Sequence, residues 1–459
     1  MKIALNLFRP VRGAASSLHK DAKFHKPPDT SILSLRAELR LTWRNAPCII
    51  AGQDQSGESV STSAAPDAEA VDDFRREVRA WLGANFPPSL KGHPALLSGH
   101  DELHGPPEDH ARWKAAIAGK GWGVPTWPVE YGGAGLSDEQ ADVIAGEMER
   151  IGAFQPIMSM GLMMLGPTLL EFGNKEQKRR HLPPIARSEM QWCQGFSEPG
   201  AGSDLASLRL RCEDRGDHWL LNGQKIWTSY AHHSDWCFLL ARTDTSVKHR
   251  GISFLLVDME TPGIDVRPIE LINGISHFCE VFFSDVRVPK ENLVGEVNGG
   301  WTIGKRLLQH ERTGLSRLRG AKAHVLDLVP IARRYQETDA DGRLADGDLR
   351  GRLAEHLMTD HAYRLTLERR RDEGEAGTKP TTPVSTLKNI GAAMGQQRGE
   401  LAVELVGLNS LGWAGDGYSA EELELTSQWL HSKCYSIYGG SHEIQNNITA
   451  RHELGLPSD

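Results

Sequence analysis

From Ser207 to Cys212 the chain reads SLRLRC, and from His218 to Trp227 it reads HWLLNGQKIW. The first run alternates polar and apolar residues at period two, as a half-buried strand does. The second carries Asn222-Gly223, the dipeptide that most favours a two-residue hairpin, so a turn is expected there. Three strand-length apolar runs follow: DWCFLLAR (Asp235–Arg242), GISFLLVDM (Gly251–Met259) and CEVFFSDVRV (Cys279–Val288).

On either side of this region the period is helical. Upstream, DAEAVDDFRREVRAWLGANF (Asp67–Phe86) places Val71, Phe74, Val78, Trp81 and Leu82 on one face. Downstream, helical patterning runs from Gly299 to the end, broken by the turn-rich stretches DADGRLADGD and GEAGTKPTTP. The order is helices, strands, helices, with no βαβ alternation to support a doubly wound sheet. The expected fold is therefore mainly α with a central β-domain. Its parts are a disordered segment or extension over 1–66, an N-terminal helical domain over 67–190, a middle β-domain over 191–298 and a C-terminal helical domain over 299–459.

Composition narrows the function. The 459 residues suffice for several domains, and a net charge of −8 with both signs spread along the chain argues against nucleic-acid binding. Six scattered cysteines without a C-x-x-C pair argue against a disulfide framework or a zinc site, and a cytoplasmic location is expected. MKIALNLFRPVRG lacks the sustained apolar core and cleavage site of a secretory signal, and AGQDQSGESVSTSAAP (Ala51–Pro66) has linker composition. Gly152–Leu170 carries no charge, but Gln155, Pro156, Ser159, Gly161, Gly166 and Pro167 disfavour a membrane span. A buried Met-rich helix (Met158, Met160, Met163, Met164) is expected instead. His232 and His233, read as neighbours following a strand, should point to opposite faces and hold no metal.

Two blocks go further. WCQGFSEPGAGSDLASL (Trp192–Leu208) and NGQKIWTSYAHHSDW (Asn222–Trp236) together resemble the flavin-binding signature of acyl-CoA dehydrogenases, and the likeness extends from about Ala70 to Leu456. The nearest likeness is to large subunits of pimeloyl-CoA dehydrogenases. The resemblance implies an N-terminal helical domain, a β-barrel-like middle domain and a C-terminal four-helix bundle, with FAD as cofactor. It implies that Gln194, Phe196, Ser197, Gly202 and Ser203 run along the isoalloxazine, with Ser203 also touching the substrate's pantetheine arm. Trp227, Thr228 and Ser229 would cover the flavin's other side.

In most of that family the α-proton base is a Glu directly after the Tyr of a C-terminal turn. Here CYSIYGGSHEIQNN (Cys434–Asn447) has Gly439 after Tyr438. A replacement base is legible in RLLQHERTGLSRL, where Leu308, Glu311, Leu315 and Leu318 share one helical stripe and no cation stands three or four residues from Glu311. In some family branches the base sits on this helix just before an Arg, and Glu311-Arg312 matches that pair. By the same resemblance the Gly439 N–H is the donor to the thioester carbonyl, with Tyr438 beside the substrate. Ser441 and Glu443 match flavin contacts, and Arg451 matches an Arg on the cofactor or CoA side.

The resemblance also implies an acyl-CoA substrate and an electron-transfer flavoprotein as electron acceptor. Assembly is expected as a homotetramer, or as a heterotetramer with a small subunit. The usual Arg-x-x-Phe-Gly is missing after Arg333-Arg334, ELVGLNSLG (Glu404–Gly412) replaces a Gly-rich run, and Asn446 stands where Arg is usual. Each change removes a donor for the pyrophosphate–adenine half of FAD. In a homotetramer, Arg451 or Arg398 would have to replace them.

Overall fold

The computed structural model describes residues 68–91, 105–320 and 327–457, and at 68, 311–320 and 375 the backbone alone. The extension expected over 1–66 lies outside the described residues. Helix α1 (Ala68–Asn85) packs with α2 (Pro107–Gly119) and α3 (Asp138–Ile151) around Val78, Leu82, Trp113, Ile117 and Ile157. Val71, Phe74 and Trp81 pack against that core, as the periodicity predicts. A capping box between Ser137 and Gln140 starts α3, and Gly152 in the left-handed region ends it. Buried Glu147 of α3 accepts from Arg79 of α1 at 2.8 and 2.9 Å and from Arg150 at 2.7 Å. Those guanidiniums pull its carboxyl down to about 2.

The charge-free stretch is helical over a shorter span than expected. Residues 152–159 are extended or irregular, and helix begins only with a π-turn over Gly161–Leu165 that runs into α4 (Gly166–Phe172). The Gly152 cap and Pro156 break the backbone first. Met164 is buried, and Met160 and Met163 pack on the core. Helix α5 (Lys175–Ala186) then leads to the strands.

Eight strands follow: β1 (Trp192–Gly195), β2 (Arg211–Asp214), β3 (His218–Ser229), β4 (Trp236–Arg242), β5 (Ile252–Asp258), β6 (Ile264–Ile269), β7 (Phe278–Pro289) and β8 (Leu293–Val294). Their order is β6-β7-β3-β2-β4-β5-β8, and β1 pairs in parallel with β4. β4 is buried along its whole length, which is why its sequence is continuously apolar rather than alternating.

Asn222-Gly223 is not a hairpin turn. β3 runs straight through it, and the β2–β3 turn closes earlier, where Arg215 N–H donates to the His218 carbonyl at 3.0 Å. The dipeptide instead forms a bulge, with a register shift between Leu221 and Gly223. A Cβ on Gly223 would fall 2.9 Å from Leu210 Cδ1, and Asn222 exchanges two 3.0 Å bonds with Asp285. Pairing with β7 overrides the local turn preference.

Helix α6 (Gly300–Gly320) lies on β5 and α4. It is followed by α7 (Leu328–Tyr335), α8 (Gly347–Glu375), α9 (Val384–Val406), α10 (Ala420–Ser432) and α11 (His442–His452). α9 is central, packed by α7, α8, α10 and α11. Among the described residues no helix is long and apolar enough to cross a membrane. The architecture is mainly α with a central β-sheet.

Candidate functional site

The loop after β1 is laid beside β3 by Ile226 N–H, which donates to the Ser197 carbonyl at 3.0 Å. Glu198 and Ala201 exchange backbone bonds of 3.0 and 2.9 Å, turning the chain so that Gly202 and Ser203 are exposed. Three charged residues that the sequence reading did not single out hold this loop. Glu198, 8% exposed, accepts from the N–H groups of Arg209 (2.6 Å) and Leu210 (2.9 Å) and from Lys225 Nζ (2.8 Å). Lys225, fully buried, also donates to the Phe196 carbonyl at 3.0 Å. Burial pushes its ammonium pKa down, and Glu198 works against that. Arg242 donates to the carbonyls of Ala206 (2.6 Å), Leu208 (3.0 Å), Val247 (3.0 Å) and Lys248 (2.5 Å). One signal was available: Lys225 has the inward parity of Trp219 and Leu221, and an inward cation needs a buried partner.

β3 bulges a second time between Lys225 and Thr228. Trp227 takes φ 60 and Tyr230 φ 55, left-handed values that are uncommon for bulky residues. The bulge leaves the Trp227 indole 53% exposed, edge-on to Phe278 at 6.1 Å. Thr228 is fully buried, and its Oγ1 has no partner among the described residues. Ser229 and Gln194 are half-buried, while the Phe196 ring packs inward on Phe238 and Phe254. A flat apolar wall, an unspent hydroxyl and exposed small residues together fit a planar ring with polar edges, as the flavin reading requires.

His232 and His233 lie in a 3-10 turn over Ala231–His233, not on a strand, so their rings sit side by side at 3.9 Å instead of facing apart. Among the described residues no cluster of three His, Cys, Asp or Glu could hold a metal.

The second group is the turn before α11. Gly439 (φ 65) and Gly440 (φ 89) are both left-handed, which glycine alone adopts freely. Both carbonyls are tied back. Gln445, 3% exposed, donates its amide to Gly439 O at 2.7 Å, and Lys388 on α9 donates to Gly440 O at 2.5 Å. Asn389 reaches His442 O (3.3 Å) and Asn446 Oδ1 (2.8 Å). Among the described residues the N–H groups of Gly439, Gly440 and Ser441 donate to no protein acceptor. Ser441 caps α11, accepting from Ile444 N–H, and its hydrogen bond to exposed Glu443 helps hold that carboxyl below its usual range. Tyr438 and Arg451 are exposed.

A column of rings joins the two groups. Tyr230 Oη meets His277 Nδ1 at 2.5 Å, His277 packs on His431 at 5.8 Å, His431 on Tyr435 at 5.9 Å, and Tyr435 on Tyr438 at 5.9 Å. Leu307 and Leu308 of α6 join the same core as Phe196. Glu311 and Arg312 lie on this helix, but their side chains fall outside the described residues. Arg398 is committed to Asp360 at 2.5 Å.

Comparison with known proteins agrees along the chain. Residues 68–189, 193–286 and 298–454 match the N-terminal, middle and C-terminal domains of acyl-CoA dehydrogenases. The acyl-CoA dehydrogenase IpdE1 of Mycobacterium tuberculosis is 39% identical over 399 residues, covering 85% of this chain and 98% of that protein. The structure described as the Tcur3481-Tcur3483 steroid ACAD superposes with TM-score 0.66 and 29% identity, covering 85% of this chain and 98% of that one. A chain of the ChsE4-ChsE5 complex from Mycobacterium tuberculosis gives TM-score 0.62 and 28% identity, over 87% of this chain and 100% of that one. The chain belongs to the acyl-CoA dehydrogenase family of flavoprotein oxidoreductases.

Proposed function

We propose that this protein converts an acyl-CoA thioester to the trans-2-enoyl-CoA, with FAD as hydride acceptor and an electron-transfer flavoprotein as the onward acceptor. The observation that carries the reading is the Gly439–Ser441 turn, whose N–H donors meet no acceptor among the described residues while other side chains tie back its carbonyls. Donors fixed in advance stabilise negative charge without reorganising as it develops. The Gly439 N–H serves the thioester oxygen, while Glu311 takes the pro-R α-proton. Along α6, position 311 continues the backbone register of Ile303 and Leu307, both buried against the sheet. A carboxylate in apolar surroundings has its pKa raised toward that of a useful base.

Gln194, Phe196 (through its backbone), Ser197, Gly202, Ser203, Trp227, Thr228, Ser229, Ser441 and Glu443 would hold FAD. When bound, FAD supplies the site for the β-hydride. Ser203, Arg312, Tyr438 and Arg451 are assigned to the acyl-CoA. The relative described as a steroid ACAD supports a bulky, ring-derived acyl group as substrate. Mixing the purified protein anaerobically with a panel of acyl-CoAs should bleach its flavin for at least one class. No bleaching with any of them would refute the dehydrogenase reading.

Assembly with a small subunit is the favoured form. Arg398, which a homotetramer could have used on the cofactor, is spent on Asp360. Two relatives are described by paired names, Tcur3481-Tcur3483 and ChsE4-ChsE5. Expressed alone, the chain should carry less than one flavin. Full occupancy in an active homo-oligomer would eliminate the heteromer.

A further inference from the structure

The two carbonyl ties of the glycine turn come from different elements. Gln445 belongs to α11, immediately after the turn, but Lys388 belongs to α9, 52 residues earlier than Gly440. In a trans peptide the C=O and N–H point in opposite directions. Tying Gly439 O to Gln445 therefore turns the Gly440 N–H away from that side chain. Tying Gly440 O to Lys388 likewise turns the Ser441 N–H away from α9. Gly439 and Gly440 are both left-handed, so the two ties hold their peptides in a conformation that glycine alone adopts freely. Lys388 contributes charge as well as geometry. Its ammonium polarises the Gly440–Ser441 peptide, and its Cε passes 3.9 Å from the point a Cβ on Gly439 would occupy.

We propose that Lys388 is a positioning residue of the oxyanion turn: it fixes the Gly440 carbonyl and, through that peptide, aims and strengthens the Ser441 N–H as a second donor to the thioester oxygen beside the Gly439 N–H. The inference rests on the dehydrogenase reading and adds to it a residue outside the turn. It also accounts for the base and the oxyanion site being separable in this chain. With no carboxylate at position 439, the turn has donor work only, and a cation behind it opposes nothing.

The test uses the flavin-loaded enzyme, in its native assembly, and three variants. Lys388→Met should bind flavin and the acyl-CoA within about threefold of the parent enzyme, yet reduce its flavin about 10- to 100-fold more slowly in single-turnover mixing. Lys388→Arg should recover part of that loss. A readout independent of turnover is the infrared carbonyl band of a ¹³C-labelled thioester analogue that cannot be oxidised. Bound to the parent enzyme, the band should lie below its solution frequency, and in Lys388→Met it should move back toward it. Gly440→Ala opens the clamp from the other side, because its Cβ would fall 2.5 Å from Gln445 Nε2, and it should move the band in the same direction. A parent-like band and rate in Lys388→Met would overturn the role of Lys388 while leaving the dehydrogenase reading intact. A parent enzyme that neither shifts the band nor reduces its flavin would overturn both.

Discussion

The strip along β1 and β3 and the glycine turn before α11 both leave backbone at the surface, yet they are fastened in opposite ways. The strip is nailed from inside the sheet by buried charges: Lys225 on Glu198, and Arg242 on four carbonyls. The turn is tied from outside by side chains of neighbouring helices, Lys388 and Gln445, and among the described residues three of its N–H groups meet no acceptor. A buried ion that loses its partner threatens the fold, because its desolvation goes uncompensated. A half-exposed turn that loses a tie changes aim more than stability. The strip should thus register mutations as lost stability, and the turn as lost rate.

The contrast can be tested by expected size of effect. Glu311→Gln, on the catalytic side, should retain flavin yet slow its reduction about 10²- to 10⁴-fold, equivalent to about 3–5 kcal/mol of barrier. A near-parent rate in stopped flow would remove Glu311 from the chemistry. On the strip side, Lys225→Ala strands Glu198 and should lower the unfolding free energy by about 3–5 kcal/mol in urea titration. A loss of similar size in Lys388→Met would erase the distinction between the two regions.

The strip should also be the acid-sensitive side. His181 packs on Trp192 and Trp236 at 5.2 and 5.0 Å, at the start of β1 and β4. Burial, with Arg180 nearby, pushes its imidazole pKa down from 6.5 to about 4. The folded-state pKa is the lower one, so the unfolded chain binds the proton first. The neutral ring's stabilisation is complete above pH 6.5 and falls away as pH drops toward 4, by about 2–3 kcal/mol. His181→Phe should flatten that limb of the melting-temperature profile, and an unchanged limb would exclude this histidine. The smallest effect belongs to Gly439→Ala. Its nearest neighbour would be Lys388 Cε at 3.9 Å, so it has room, but φ 65 should cost about 1–2 kcal/mol. Because the N–H persists, flavin reduction should stay close to parent, and a collapse in rate would show that the turn's conformation matters more than its donor.

The broad fold was legible because long segments keep one period: 3.6 in α1, where Val78 and Leu82 are buried as expected, and near-continuous apolar runs in β4 and β5. Errors fell where a distant partner overrules a local signal. Asn222-Gly223 reads as a hairpin until β7 supplies Asp285 and Leu210 closes over the glycine. The Met-rich run reads as helix from Gly152, but eight residues are first spent on breaks that bring Gln155 to the Trp122 carbonyl. The motif singles out the β-strip but not its fasteners, since Glu198 and Lys225 meet across 27 residues and no spacing rule links them. Lys388 escaped for the same reason: on sequence alone it is one more cation on a helix.

The unspent donors of the turn have a kinetic consequence that needs no substrate chemistry to observe. Amide hydrogens within α9 are held by helix bonds and exchange with deuterated solvent only when that helix opens. Those of Gly439, Gly440 and Ser441 have no such bond to break among the described residues, so they should exchange at nearly the rate of an unstructured peptide even though α9 and α11, packed beside them, do not. The protein should thus show a fast-exchanging window framed by slow helices, and an acyl-CoA seated on those donors should close it. Deuterium uptake at three consecutive amides would then count occupancy of the glycine turn directly, in oxidised enzyme that has not turned over once.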